Sequence, residues 1–409
     1  MNFHDRRVSF ITVLFSEFID YAGVAIAYPL FAYMLFEPSL HFLPEGTSNQ
    51  VRGMWLGILL ALYPLLQFFC APIFGTLSDL RGRKKLLCWT RGLAVLGYGL
   101  AYLGCLFESI SLLALYRICV GVSAGNCSIV SAIVADISLP ENKAKNYGLL
   151  NMAFGAGFTL GPFLGGMLFH YVDLSTPFLT AMCLVGLNWV LVTWLFRETL
   201  TSPRKGKIGL FDSISRIKQA IAMRELRFLF LTLLVFSFGW SFFTEFIPIF
   251  LIDHYAMTPA FIGWYYGYVG FFYAISAGFL IYPSIRRLKM EKALGLSMLF
   301  SGIYLCFFLM IEDKRLLLLY LPLSQFFLSF PYPVICALIS NRVNAERQGE
   351  AMGIYQAVIA LALTITPLCG GFVVGNHPYL AVLVSGILMV AAALIYTFLK
   401  DEVPVLNTD

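Results

Sequence analysis

Between two long apolar stretches the chain reads Gly75-Thr76-Leu77-Ser78-Asp79-Leu80-Arg81-Gly82-Arg83-Lys84-Lys85. On one side, residues 54–77 carry no charge, and on the other, residues 86–107 carry Arg91 alone. Each stretch is long enough to cross the ~30 Å hydrocarbon core of a bilayer, which takes about 20 residues as a helix. The quoted segment is therefore a short, basic connection between two membrane helices. The same alternation continues over the whole chain. Spans are expected near 8–36, 54–77, 86–107, 111–135, 147–169 and 177–196, then near 228–252, 261–283, 293–311, 316–340, 351–374 and 379–399.

Composition agrees with this reading. Of the 409 residues 59% are hydrophobic and 12% charged, against about 25% charged in soluble domains. Twelve spans use roughly 240 residues, which leaves no room for an appended domain of ordinary size. The first apolar stretch far exceeds the 7–15-residue core of a signal peptide and contains Glu17 and Asp20, so it is expected to be a retained helix. Stretches apolar on every face exclude an outer-membrane barrel, whose strands alternate over about 10 residues. The nine cysteines form no CxxC pair, so neither a disulfide framework nor a metal site is expected. Net charge is +5, with the basic residues scattered through interhelical segments, which gives nucleic-acid binding no support. No G-x-x-x-x-G-K-[ST] loop occurs, and no nucleophile and base stand at a recognisable spacing. The expectation is a protein without cofactor that is not an enzyme.

Residues 1–196 form the first half, residues 197–227 a polar linker and residues 228–409 the second half. The linker holds Arg204, Lys205, Lys207, Arg216 and Lys218, with Gly206 and Gly209 favouring a mobile connection. From Phe211 onward an amphipathic interfacial helix is expected. An internal repeat runs at a displacement of 205 residues, pairing Glu141 with Glu346, Gly148 with Gly353, Pro162 with Pro367, and Gly165-Gly166 with Gly370-Gly371. Each half is thus read as one copy of a six-helix unit, the arrangement of transporters with a substrate site near mid-membrane. The side carrying both termini holds 23 Lys and Arg residues and the other side three, so both termini are expected in the cytoplasm.

The segment from Gly75 to Lys85 resembles the signature between the second and third helices of the major facilitator superfamily, G-x-x-x-D-basic-x-G-R-basic-basic. Leu80 stands where the pattern has a basic residue, and Arg81 follows one place later. The resemblance implies a cytoplasmic gate of Gly75, Asp79, Gly82 and Arg83, with charges that pair in one conformation. It places Asp136, at the end of the fourth span, near Arg83, although an ordinary helix-end carboxylate reads equally well. The corresponding loop of the second half has Tyr282 in place of the acid, which implies an asymmetric gate. The fifth span, with Gly148, Gly157, Gly161, Pro162, Gly165 and Gly166, fits G-x8-G-x3-G-P-x2-G-G, which resembles the mark of the drug/proton antiporter branch that includes tetracycline exporters. Physically, small residues at these spacings let two helices approach closely, and Pro162 permits a kink.

Ionisable residues within spans cost about 2.5–3.5 kcal/mol each if they face lipid, so they are the leading site candidates. Asp20 and Glu17 stand three apart on the first helix and share a face, which suits them to carry protons. Arg117 opens Arg117-Ile-Cys-Val120-Gly121, which resembles the fourth-helix R-x-x-q-G motif. The resemblance implies a part in proton coupling, with Asp20 or Glu17 expected as its partner. Arg91 is expected to snorkel to the cytoplasmic surface. Glu245 suits a cationic substrate or the periplasmic mouth. Gln67, Asn126, Gln325, Tyr332 and Gln356, with Trp240 and Tyr355, are candidate cavity residues.

The fold expected is an all-α membrane protein of twelve transmembrane helices in two pseudo-symmetric halves, working as a monomer in the bilayer of the bacterial inner membrane. Its function is read as proton-coupled efflux of a small amphipathic molecule by alternating access. Proton-coupled uptake or export of a specific metabolite such as a siderophore, amino acid or sugar is the alternative, and a non-transporting receptor a third reading.

Overall fold

A computed structural model describes residues 3–37, 39–138, 143–200, 215, 218, 223, 226–343 and 348–399. The helix expected from Phe211 onward and Glu346 lie outside them. The described helices are α1 (Phe3–Phe36), α2 (Asn49–Arg81), α3 (Arg83–Leu106), α4 (Ile110–Ser123), α5 (Cys127–Ile137), α6 (Lys143–Tyr171), α7 (Thr176–Leu195), α8 (Arg227–Tyr255), α9 (Pro259–Ile275), α10 (Ile281–Leu288), α11 (Met290–Phe308), α12 (Lys314–Leu328), α13 (Pro331–Ser340), α14 (Gln348–Val374) and α15 (Leu380–Leu399). Among the described residues, twelve helices are long and apolar enough to cross a membrane. The fourth consists of α4 and α5 joined through a single 3-10 turn at Ala124–Asn126, and a π turn at Ser276–Leu280 joins α9 to α10. Large apolar side chains such as Trp194, Phe279, Leu319 and Phe398 are more than 70% exposed, an exterior suited to hydrocarbon rather than water.

The segment expected as a loop after the second span is almost entirely helical. Helix α2 continues to Arg81 and α3 begins at Arg83, so Gly82 alone turns the chain, with φ +97°, a value that side chains resist. The helices run beyond the hydrocarbon because backbone groups in these short connections are best satisfied within a helix.

Packing divides the chain into two compact units. The first comprises Met1–Thr47, Leu62–Asp212 and Thr258–Gly267, and the second Ser48–Ala61, Ser213–Met257 and Tyr268–Asp409. In the first unit α1 packs against α6 and α7, and α3 against α4 and α7. Its core gathers Val13, Leu87, Ile129, Ile133, Val134 and Val192 around Phe74 and Phe196. The α1–α6 crossing explains the glycines of α6. A side chain at Gly157 would come within 2.5 Å of the Phe18 carbonyl and one at Gly165 within 2.8 Å of the Ile26 carbonyl, while one at Gly161 would overlap the Ala22 carbonyl. Positions 157, 161 and 165 thus meet 18, 22 and 26, a four-residue ladder on each helix. Among the described residues nothing from outside its own helix turn lies within 4 Å of where a side chain at Gly148 would begin. The other edge of α6 meets the start of α9, where a side chain at Gly263 would lie 2.9 Å from Gly166 and 3.0 Å from the Pro162 carbonyl.

In the second unit α8 packs on α14 and α15, and α11 on α15 and α12. Gly370, the repeat partner of Gly165, lies against Phe246 of α8, and Gly371 lies against Gly53 and Gly57 of α2. The Pro-Gly-Gly element of each repeat therefore brings two helices to its own.

Candidate functional site

The interior of the first unit holds a charged cluster. Asp20 lies on α1 with Glu17 one turn before it, 6% exposed. An Asp20 oxygen accepts from Nη1 of Arg91 on α3, an ion pair whose cation is 0% exposed, and the other accepts from Asn126 Nδ2 at 3.2 Å. Asp20 opens on a narrow cavity whose lining includes Tyr21, Tyr63, Gln67, Tyr98 and Asn126. Asn126 belongs to the 3-10 turn between α4 and α5, so the irregular backbone at this depth serves to aim a polar side chain inward.

Two expectations are corrected here. Arg91 does not snorkel: it is fully buried and bonded to Asp20. Arg117 is not the cation bonded to Asp20. It is 0% exposed, and its guanidinium lies 4.9 Å from the centre of the Phe31 ring and 5.6–5.9 Å from those of Tyr28, Tyr63 and Tyr116, within cation–π range. The cause is helix placement. Gly23 leaves room for the Tyr98 hydroxyl against α1, so α3 passes beside Asp20 and brings Arg91 within reach. Arg91 is the functional candidate that sequence reasoning missed. The available signal was its charge within the span, which Arg117 shares, but Arg117 also carries the R-x-x-q-G motif that drew the expectation to it.

At the end of the unit where α2 gives way to α3 the structure brings Asp79, Arg83 and Asp136 together. Arg83 is 2% exposed and reaches Asp79 at 2.5 Å, Asp136 through Nε at 3.2 Å and the Ser78 hydroxyl through Nη1. One guanidinium thus spans three helices, a task that its planar fork performs and an ammonium does not. Gly75 lies beside Ser128, its absent side chain 3.5 Å from it. Glu198, just past α7, is a second missed residue. Its carboxylate accepts the backbone N–H groups of Arg83 and Lys84 at 3.0 Å, capping the positive end of α3. The neighbouring Thr199 hydroxyl donates to Asp136 at 3.3 Å.

In the second unit Glu245 on α8 is 4% exposed. One turn and a half before it Trp240 meets the rings of Tyr273 at 5.8 Å and Tyr332 at 6.0 Å. The Tyr332 hydroxyl lies 3.2 Å from Ser237 Oγ, and the Tyr355 hydroxyl donates to the Tyr332 carbonyl at 3.1 Å. Trp240, Tyr332 and Tyr355 therefore form one wall with Tyr273. Gln325 is buried and donates to Ser324 Oγ at 3.1 Å, and Gln356 lies on the exposed side of its helix; neither joins that wall. Among the described residues no cluster of side chains fit to hold a metal ion occurs.

Membrane-length helices enclosing paired charges define a multi-pass membrane protein of the transporter class. The family model of the Major Facilitator Superfamily matches residues 13–313 and 229–408, and the chain belongs to that family. It is 27% identical over 363 residues to the class C tetracycline resistance protein of Escherichia coli, covering 88% of this chain and 87% of that protein. It is 26% identical over 368 residues to the quinolone resistance protein NorA of Staphylococcus aureus, covering 89% of each. The solved human organic anion transporter MFSD10 superposes with a TM-score of 0.70 at 19% identity, over 96% of this chain and 99% of that one. An auto-inhibited peptide transporter of the POT family superposes with a TM-score of 0.74 at 12% identity, over 98% of each chain. These two likenesses concern the fold.

Proposed function

We propose that the chain is a proton-coupled antiporter that expels small amphipathic molecules, drugs among them, by alternating access. The observation that carries this reading is Asp20, a carboxylate in the middle of its span, ion-paired and opening on a cavity. Charges at such depth are costly and add little net stability when paired, so retaining them points to a working role. The names of the tetracycline and quinolone resistance relatives support efflux and a flat, partly apolar substrate.

In this reading Asp20 and Glu17 carry the proton, and Arg117 tunes them from behind the tyrosines. Asp79, Arg83 and Asp136, with Gly75 and Gly82, latch the cytoplasmic side, and release of the latch accompanies the change of access. The α6 glycines hold α1 at close range so that charge changes at Asp20 are felt as helix movement. In the second unit the wall of Trp240, Tyr332 and Tyr355 offers ring faces to an apolar substrate and Glu245 offers a countercharge to a cationic one; in the first unit Gln67 and Asn126 offer polar contacts beside Asp20. The Lys and Arg distribution supports cytoplasmic termini in a bacterial inner membrane. The unit works as a monomer, with protons, lipid and a small molecule as its partners.

Proton movement in proteoliposomes containing a pH-sensitive dye tests the reading. Addition of tetracycline, a fluoroquinolone or a lipophilic cation should move protons through the wild type, and Asp20→Asn should abolish the signal. Substrate movement by the wild type without proton movement, or full coupling in Asp20→Asn, overturns it.

A further inference from the structure

Arg91 offers one edge of its guanidinium to Asp20, whereas its Nε and Nη2 atoms have no hydrogen-bond partner among the described residues. Three of the five N–H donors of this fully buried cation are thus available to a further partner, and a buried polar group so placed calls for one. Glu17 lies one turn along α1, buried, and close enough to feel the charges of both Asp20 and Arg91. The surroundings of Asp20 supply no other bonded cation among the described residues. Tyr21 shares its helix, Tyr63 and Gln67 face it from α2, Tyr98 from α3 and Cys127 from α5. Arg117 of α4 stands among aromatic rings. The stretch of α6 packed on α1, residues 152–166, contains no titratable residue.

We propose that Arg91 is a positioning residue for proton transfer at Asp20, the internal cation that takes the carboxylate when the proton leaves and turns to Glu17 when the proton returns. The inference rests on the proton-coupled reading given above. On release, the O–H bond of the Asp20 carboxyl breaks, its electron pair stays on oxygen, the proton passes to water in the cavity, and the Arg91 N–H contact to that oxygen forms. On uptake the contact breaks, the O–H bond forms, and the Nε and Nη2 edge becomes the donor to a carboxyl oxygen of Glu17. The Asp20 oxygen therefore exchanges one positive partner for another and is not left bare in a medium where an isolated charge is prohibitive.

The test needs no transported substrate. The purified full chain in nanodiscs is stepped from mildly alkaline to mildly acidic solution and the protons taken up per chain are counted. Asp20→Asn should take up one proton fewer than the wild type. Arg91→Met should lose that same proton, because without the replacing cation the carboxyl no longer exchanges it, and Arg91→Lys should keep it. Arg91→Gln, closer in shape, repeats the comparison if Arg91→Met does not elute as a folded, monodisperse species. Wild-type uptake in Arg91→Met or Arg91→Gln, with the loss confined to Asp20→Asn, overturns the role of Arg91 and leaves proton carriage standing. Wild-type uptake in Asp20→Asn overturns both.

Discussion

The carboxylate of Glu198 occupies the space that a side chain at Gly82 would need: its Oε2 lies 2.7 Å from where that first carbon would stand. The fit allows Glu198 to cap α3 and ties the segment just past α7 to the turn at Gly82. Gly82→Ala should therefore strain the backbone and evict the cap together, costing about 1–3 kcal/mol for the unfavourable backbone alone. Thermal unfolding in detergent and drug efflux from cells should both fall. Glu198→Gln, which keeps an acceptor oxygen, should fall less than Glu198→Ala.

Arg83→Lys preserves charge but not the fork that joins Asp79, Asp136 and Ser78. Loss of one charge-assisted hydrogen bond, worth about 1.5–3 kcal/mol, should lower transport at least about tenfold at unchanged expression. An Arg83→Lys protein with wild-type efflux would show that the three-helix junction does no gating.

Along α6 the prediction is graded by position. Gly161→Val should prevent α1 and α6 from meeting and should abolish accumulation of folded protein, as judged by size-exclusion elution. Gly148→Ala, at a site with nothing within 4 Å among the described residues, should leave both elution and transport at wild-type levels, although the two glycines belong to one sequence pattern.

Asp173 lies in the connection before α7, outside the membrane-spanning segments. Burial pushes its carboxyl up, but four hydrogen bonds from the backbone and hydroxyls of Ser175 and Thr176, at 2.7–2.9 Å, outweigh this and hold it below the ordinary carboxylate value of 3.8. A carboxylate so held contributes stability that is fully present above that value and is lost as pH falls through its lowered one. The melting temperature of the wild type should converge on that of Asp173→Ala only in that acid range. A constant difference down through it would contradict the linkage.

Span placement was legible because hydrocarbon demands apolar side chains on every exposed face, and a run such as 54–77 cannot be anything else. The Asp79–Arg83 ion pair was legible because Asp79, Gly82 and Arg83 are neighbours in sequence. The partner of Asp20 was not. Helix α3 is apolar on most sides, so its sequence does not say which face turns to α1; Arg91, near the start of its span, read as a snorkelling side chain, and the motif around Arg117 drew the pairing there instead. Their difference arises from the contact of Gly23 with Tyr98, which only packing reveals. Glu198 was equally hidden, since a cap supplied from more than 100 residues away leaves no local pattern.

Order of synthesis gives the Gly53–Gly371 crossing a further meaning. Gly53 and Gly57 emerge from the ribosome early, yet the helix whose backbone fills the space beside them is nearly the last to be made. Until then the beginning of α2 has a bare glycine groove, with no side chains to shield its peptide groups.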